Sequence, residues 1–262
     1  MKQLLIIISV LFSQFVFSQT SSIPHLENRN GNVQLIVDNE PFFMFAGELH
    51  NSSTGSAHYM RPIWPRMAGQ NLNTVIAPVT WELVELQEGV LDFTLVDSMI
   101  TGARKQNLKL VLLWFGSWKN GKSTYVPEWV KVDTKRFPLV RDKNGRALNI
   151  LSTFGKNTLR ADARAFSELM KHIKEVDEGE GTVLMVQVQN EIGVLDQVAS
   201  FMGGANVCSR DYSDEANKAF SSRVPPDLIE YLKKHKDELY PALKDAWANN
   251  GYKEKGTWEE VF

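Results

Sequence analysis

Thr182-Val183-Leu184-Met185-Val186-Gln187-Val188-Gln189 is a mostly apolar run that stops on Asn190-Glu191-Ile192-Gly193. A β-branched and aliphatic run of this length is typical of a parallel strand that is covered on both faces. The pattern therefore predicts one carboxylate at the C-terminal tip of a buried strand, where barrel enzymes carry catalytic groups. An alternative is that Asn-Glu only caps the turn that follows.

Strands alternate with helices along the chain. Strands are predicted at Phe42–Leu49, Asn73–Pro78, Leu108–Trp114 and Val183–Gln189, and helices at Met60–Gln70, 95–107, Leu159–Val176 and Pro226–Tyr240. A hairpin turn at residues 38–41 is predicted to precede the first strand. The third helix has an expected buried face made of Leu159, Ala163, Phe166, Leu169, Met170, Ile173 and Val176. Before it, Phe115–Asn157 lacks helical periodicity and contains Asn144-Gly145, a dipeptide that predicts a hairpin turn.

This alternation predicts an α/β fold with a parallel sheet, either an open doubly wound sheet or a closed barrel. Polar or aromatic residues follow each predicted strand: Glu48 and His50, Trp81 and Glu82, Trp114 and Trp118, and Asn190 and Glu191. Such tips suggest loops that converge on one pocket, as in a TIM (β/α)8-barrel. The sequence contains neither a G-x-G-x-x-G nor a phosphate-loop motif, so no nucleotide cofactor is expected.

The N-terminus has the features of a secretory signal. One Lys precedes a mostly apolar stretch from Leu4 to Phe17, which is too short to span a bilayer. We therefore expect a signal peptide at residues 1–18, an exposed segment at 19–32 and a catalytic domain at 33–262. The mature protein is expected in the periplasm or outside the cell, without a membrane anchor.

Composition narrows the possible partners. Cys208 is the sole cysteine, so an intrachain disulfide is excluded, and the net charge is −2 without a basic stripe of the kind that nucleic acid requires. The seven Trp residues suit a large core or stacking on sugar rings. Glu48, His50 and His58 are close in sequence but fit no common zinc pattern, so no metal site is expected. A neutral ligand fits this chain best, and composition gives no oligomeric state.

Four stretches resemble glycoside hydrolase family 35, the β-galactosidases, which belong to a clan of retaining TIM-barrel glycosidases. They are Ala46–His50, Asn71–Val75 leading to Trp81–Glu85, Glu88–Phe93, and Val186–Gly193. The resemblance runs from about Val33 to the C-terminal end. It implies that the substrate is a β-galactoside or a related β-glycoside.

The resemblance also implies roles for residues. Glu191 matches the family's acid/base, and Asn190 matches the residue that hydrogen-bonds the sugar 2-hydroxyl. Glu82 is then a candidate sugar ligand, with a loop salt bridge as its alternative. Trp81 and Trp118 are candidate stacking platforms, whereas Trp114 is expected in the core. Glu48 and His50 are expected to line the pocket floor, although His50 also suits a hydrogen-bonded structural role.

Two stretches depart from the family pattern. The family usually has Glu where this chain has Gln189, and Asn-x-x-Glu-Pro where this chain has Glu82-Leu83-Val84-Glu85-Leu86. Both departures fall at the expected sugar-binding end. They weaken the expectation of galactose more than the expectation of a β-glycoside.

A retaining glycosidase needs a second carboxylate as nucleophile, which this clan carries on the seventh strand. Only four core strands are predicted here, and Glu259 and Glu260 lie in a predicted helix start. We therefore expect roughly the first half of a barrel, βα units 1 to 4, in a truncated form that lacks the nucleophile. The alternatives are a noncatalytic carbohydrate-binding protein, a glucosidase, mannosidase or xylosidase of the same clan, and, with least support, an adhesion protein.

Overall fold

The structure is a computed structural model that describes residues 23–192 and 210–262. The predicted signal segment and Cys208 lie outside the described residues. The strands are β1 His25–Arg29, β2 Asn32–Val37, β3 Glu40–Pro41, β4 Ala46–Glu48, β5 Thr74–Thr80, β6 Lys109–Lys119, β7 Leu139–Arg141, β8 Ala147–Leu151 and β9 Val183–Asn190. The helices are α1 Ala57–Met60, α2 Ile63–Gly69, α3 Trp81–Val84, α4 Thr94–Arg104, α5 Glu128–Val132, α6 Lys156–Asp177, α7 Asp214–Phe220, α8 Pro226–Lys234, α9 Pro241–Asn249 and α10 Trp258–Val261.

The chain forms two compact units. Among the described residues, the first holds 23–77 together with Leu95–Leu112 and Lys171–Val186. The second holds Pro78–Thr94, Leu113–Met170, 187–192 and 210–262. Strands β5, β6 and β9 and helix α6 contribute residues to both units.

In the first unit, β1, β2 and β3 form an antiparallel sheet in that order. The predicted hairpin is confirmed, because Asp38 and Asn39 connect β2 to β3 with φ angles of 52° and 67°, the left-handed backbone that a two-residue hairpin turn requires. Strand β1 comes from the segment expected to be exposed at the N-terminus. It pairs with β2 over its whole length, from His25 opposite Ile36 to Arg29 opposite Asn32.

The central sheet contains four strands in the order β4-β5-β6-β9. Strands β4 and β5 pair in parallel, with Glu48 opposite Ile76, and β4 is shorter than the predicted Phe42–Leu49. The order follows the chain without the reversal that marks a doubly wound sheet. Of the two architectures considered from the sequence, this order favours the barrel.

Strand β9 corrects one expectation. It was expected to be buried on both faces, but the exposed fractions are 39% for Met185 and 58% for Val188, while Leu184 is buried. The physical reason is its place at the end of the described sheet, where it pairs with β6 on one side. A strand with one neighbour buries less of its surface than a central strand.

Helix α6 is 22 residues long and has a different buried face from the predicted one. Leu159, Met170 and Val176 of the predicted face are exposed by 36% or more. The buried positions are Thr158, Ala161, Asp162, Ala165, Leu169, Ile173 and Asp177. The buried face is rotated by about one residue from the predicted one and includes carboxylates, which the apolar pattern did not reveal.

Within the described ranges, the structure contains no helix that combines the length and the apolar character needed to span a membrane.

The second unit contains the predicted Asn144-Gly145 turn, which joins β7 to β8. The Asp142 carboxylate accepts the backbone N–H groups of Arg146 and Asn144 at 2.9 Å. Both hydrogen bonds lower the pKa of Asp142 below its usual value, and the bond from Arg146 has the larger effect. The turn is therefore fixed by its first residue as well as by the glycine.

The C-terminal helices pack around Trp247, which is 1% exposed and lies with Val224, Ile229, Leu232 and Val261. Helix α10 begins at Trp258, and its Thr257 and Glu260 form a reciprocal capping box. Glu260 Oε2 accepts the Thr257 backbone N–H at 2.8 Å. The prediction that Glu259 and Glu260 lie at a helix start is confirmed.

Candidate active site

The tip of β9 carries the carboxylate predicted to be catalytic. Gln189 and Glu191, on either side of Asn190, have φ angles of 64° and 51°. Left-handed backbone is uncommon for residues other than glycine and occurs often at functional sites. The Glu191 side chain is 50% exposed, so its carboxylate can be reached from solvent.

Lys119, the last residue of β6, contacts both residues of this tip. Its Nζ donates to Asn190 Oδ1 at 2.6 Å and lies 3.7 Å from Glu191 Oε2. The Lys119 side chain is only 10% exposed, and its ammonium stands over the Phe115 ring, 5.0 Å from the centroid. One nearly buried cation thus links the amide and the carboxylate, and no feature of the sequence pattern predicted this.

Trp118 lies beside Lys119 and is held at two points. Its backbone N–H donates to Gln189 Oε1 at 3.1 Å, and its indole N–H donates to the Leu151 carbonyl at 3.1 Å. The side chain is partly buried. The first bond holds the backbone and the second restrains the ring, as a stacking platform requires, and the contact of the ring with a sugar remains a prediction.

At the tip of β5, Trp81 differs from the stacking platform expected there. It is fully buried, donates its indole N–H to Glu85 Oε2 at 2.8 Å, and packs edge-on against Trp129 with centroids 5.8 Å apart. A ring without exposed surface offers no face to a sugar, so Trp81 is a core residue. Trp114 is also fully buried, as predicted.

Glu82 makes the ion pair that was considered as the alternative to sugar binding. Lys131 Nζ lies 3.1 Å from Glu82 Oε2, and the Glu82 side chain is 35% exposed. The carboxylate is accessible and also has a cationic partner. A role in sugar binding remains a prediction, and any hydroxyl that binds Glu82 would share it with Lys131.

Glu85 is a buried carboxylate to which the sequence assigned no role. Its side chain has no exposed surface. Oε2 accepts the Trp81 indole N–H, and Oε1 accepts the Gly89 N–H at 2.7 Å and a guanidinium N–H of Arg164. Glu85 therefore anchors the loop that follows α3.

Asp162 of α6 is the second residue that sequence reasoning missed. It is 6% exposed. Its carboxylate accepts the Trp114 indole N–H at 2.8 Å, the Ser117 backbone N–H at 2.8 Å and the Ser117 hydroxyl at 2.5 Å, and the Gln189 side-chain amide also donates to it. An acidic residue on a mostly apolar helix face was the available signal.

Glu48 and His50 belong to the first unit, at the end of β4, and both are exposed. Leu49 between them is buried, and its N–H donates to the Ile76 carbonyl at 2.9 Å. The strand end is thus anchored, whereas the lining of a pocket by Glu48 and His50 remains a prediction. Across the described ranges, no group of three or more His, Cys, Asp or Glu side chains is arranged to hold a metal ion.

Comparison with protein-family models matches residues 34–250 to the model of "Glycosyl hydrolases family 35". The match covers more than half of the chain and includes every strand tip described above. A comparison with curated proteins finds no match.

Proposed function

Because the chain belongs to glycosyl hydrolase family 35, and is therefore a glycosidase with a carbohydrate substrate, we propose that it serves to cleave terminal β-galactosides or related β-glycosides with retention. Family membership implies a TIM barrel, and the strands β4, β5, β6 and β9 would be its first four. The observation that carries the proposal is the half-exposed Glu191 carboxylate beside Asn190 at the tip of the fourth strand.

Glu191 would be the acid/base. In the first step it gives its proton to the glycosidic oxygen, so that the departing group leaves as a neutral alcohol. In the second step its carboxylate removes a proton from the water that releases the sugar from the enzyme. Both steps require a carboxyl group that substrate and water can reach, which the exposure of Glu191 supports.

Asn190 would bind the sugar 2-hydroxyl. The Lys119 ammonium occupies its Oδ1 at 2.6 Å, which turns the Nδ2 end of the amide toward other acceptors. A hydroxyl oxygen is such an acceptor, and a hydrogen bond at this position strengthens as the ring becomes oxocarbenium-like. Lys119 therefore fixes which end of Asn190 the substrate would meet.

The nucleophile would lie outside residues 23–192 and 210–262, on the seventh strand of the barrel. The retaining mechanism needs its carboxyl group about 5–5.5 Å from that of the acid/base. The exposed apolar side chains of Met185 and Val188 support further structure packed against the faces of β9, since a parallel barrel strand is covered on both faces. Export of the mature protein remains a proposal that rests on Leu4–Phe17.

The test uses a panel of aryl β-galactosides, glucosides, mannosides and xylosides. The panel is given to this chain and, where the reading frame extends beyond it, to the complete product, each with and without Glu191→Gln. We expect turnover by the complete product and a loss of roughly 10²- to 10⁴-fold in the variant. Azide should restore part of the loss, since an anionic nucleophile needs no general base in the second step.

The matched control is Glu180→Gln, which makes the same change just before β9, in a side chain that is 58% exposed, and should leave turnover unchanged. Turnover by the isolated chain that vanishes in Glu191→Gln would show that the nucleophile is within it. Sugar binding that is indifferent to Glu191→Gln, with no turnover by the complete product, would instead favour a noncatalytic carbohydrate-binding protein.

A further inference from the structure

We propose that Asp162 and Gln189 form a positioning pair that fixes the Asn190–Glu191 tip, and that the pair requires an amide at position 189. The function of the tip rests on the proposed glycosidase activity. The pair itself is defined by contacts within the second unit, so it can be tested without substrate.

Asp162 provides the fixed end of the pair. It accepts N–H and O–H groups from Trp114 and Ser117 on β6, which hold the carboxylate at one place against that strand. Gly116 lies between these two residues, and a Cβ there would stand 2.5 and 2.7 Å from the two Asp162 oxygens. The missing side chain of Gly116 therefore lets the carboxylate approach the strand this closely.

Gln189 provides the bridging end. Its Nε2 donates to Asp162 and its Oε1 accepts the backbone N–H of Trp118 at 3.1 Å. The same residue has a φ of 64°, a backbone conformation that persists outside glycine when surrounding contacts hold it. The two ends of one amide thus hold the backbone immediately before Asn190 and Glu191.

Only a side chain with both a donor and an acceptor can make these two bonds. A carboxylate at position 189 would still accept from Trp118 but would face the Asp162 carboxylate. Two carboxylates in contact must share a proton, and they titrate as a pair. A methionine at this position would make neither bond and would add no charge.

This argument sets the sign of a pH effect in Gln189→Glu. The shared proton raises the folded-state pKa of the pair above the unfolded value of about 4.3. When folding raises a pKa, the resulting contribution to stability is present at pH values below the unfolded-state pKa. It is lost as the pH rises through the folded-state pKa. The variant should therefore be only slightly less stable than the wild type near pH 5 and much less stable near pH 8.

The experiment measures amide hydrogen exchange in peptides that cover residues 117–119 and 187–192, at pH 5 and pH 8, each against the wild type at the same pH. At pH 8 we expect exchange about tenfold faster or more in both Gln189→Glu and Gln189→Met, because buried polar groups lose their partners. At pH 5 only Gln189→Met should keep this excess. The control Gln70→Glu, which adds the same charge at an exposed position, should match the wild type at both values.

Combining Asp162→Asn with Gln189→Glu moves the amide to the other side of the pair, and should remove the pH dependence and restore part of the protection. The proposal is overturned if Gln189→Glu exchanges like the wild type at pH 8, if its excess is equal at both pH values, or if the excess spreads evenly over the chain. Exchange is measured without substrate, so a failure of glycosidase turnover would count against the proposed function alone.

Discussion

Replacing Glu85 with Gln tests whether this carboxylate anchors the loop after α3. The change keeps the shape of the side chain and turns one acceptor oxygen into an NH2 group. If the new nitrogen takes the place of Oε2, the Trp81 indole N–H, now 2.8 Å from that oxygen, loses its acceptor inside the core. If it takes the place of Oε1, Gly89 and Arg164 both lose theirs.

The first orientation costs less, because it leaves only one buried donor without a partner. Such a donor costs about 1–3 kcal/mol. The weakened attraction to Arg164 adds little, since that side chain is 39% exposed and water screens it. For a chain of this size, the sum corresponds to a fall of roughly 2–10 °C in Tm.

The assay is thermal and urea unfolding at pH 7. The matched control is Glu88→Gln, the same change three residues later, in a carboxylate that is 44% exposed and pairs with Arg136. Exposed ion pairs contribute little to stability, so the control should lose much less. Equal losses in the two variants would refute the reasoning, because burial and saturation would then not distinguish Glu85 from a surface carboxylate.

Two further predictions concern the same unit. Gly116→Ala should lower the unfolding free energy by about 1–3 kcal/mol, because its Cβ would stand 2.5 and 2.7 Å from the Asp162 oxygens. The midpoint of urea unfolding should show this loss. The control Gly69→Ala, where a Cβ would meet nothing within 4 Å, should be neutral or stabilising. The hydrogen bond from Arg136 lowers the pKa of Glu88. The ion pair therefore stabilises the fold at pH values above the pKa of Glu in the unfolded chain, about 4.3. This contribution is lost as the pH falls through the pKa of Glu88 in the folded protein. Calorimetry should thus find the difference in Tm between wild type and Glu88→Gln shrinking between about pH 5 and pH 3, and a constant difference would contradict this sign.

The parts of the fold that depend on local pattern could be predicted from the sequence. The run from Val183 to Gln189 forms β9, and the Asn144-Gly145 dipeptide lies in the turn between β7 and β8. Periodicity and turn chemistry involve neighbours in the chain, so a sequence displays them directly. The same reasoning placed Glu191 at the end of a strand.

The hydrogen-bonded groups beside the tips could not be predicted in this way. Asp162 meets Trp114, Ser117 and Gln189, which lie 48, 45 and 27 residues away in the sequence. An acidic residue on a helix face shows that a buried partner is needed, but not which one. Trp81 poses a similar problem, because an aromatic residue after a strand can point into the core or toward a pocket, and only its contact with Glu85 decides between them.

Burial and hydrogen bonding separate the carboxylates after β5 and β9 more clearly than their sequence positions do. Glu85 is fully buried, and its carboxylate accepts N–H groups from Trp81 and Gly89. A proton on this carboxylate would be a further donor facing those N–H donors. Glu82 is paired with Lys131 at 3.1 Å. Glu191 is half-exposed, and Lys119 lies 3.7 Å away, beyond hydrogen-bonding distance. A general acid must exchange its proton with both substrate and water, and of these three carboxylates Glu191 can do so without giving up a hydrogen bond to Lys119.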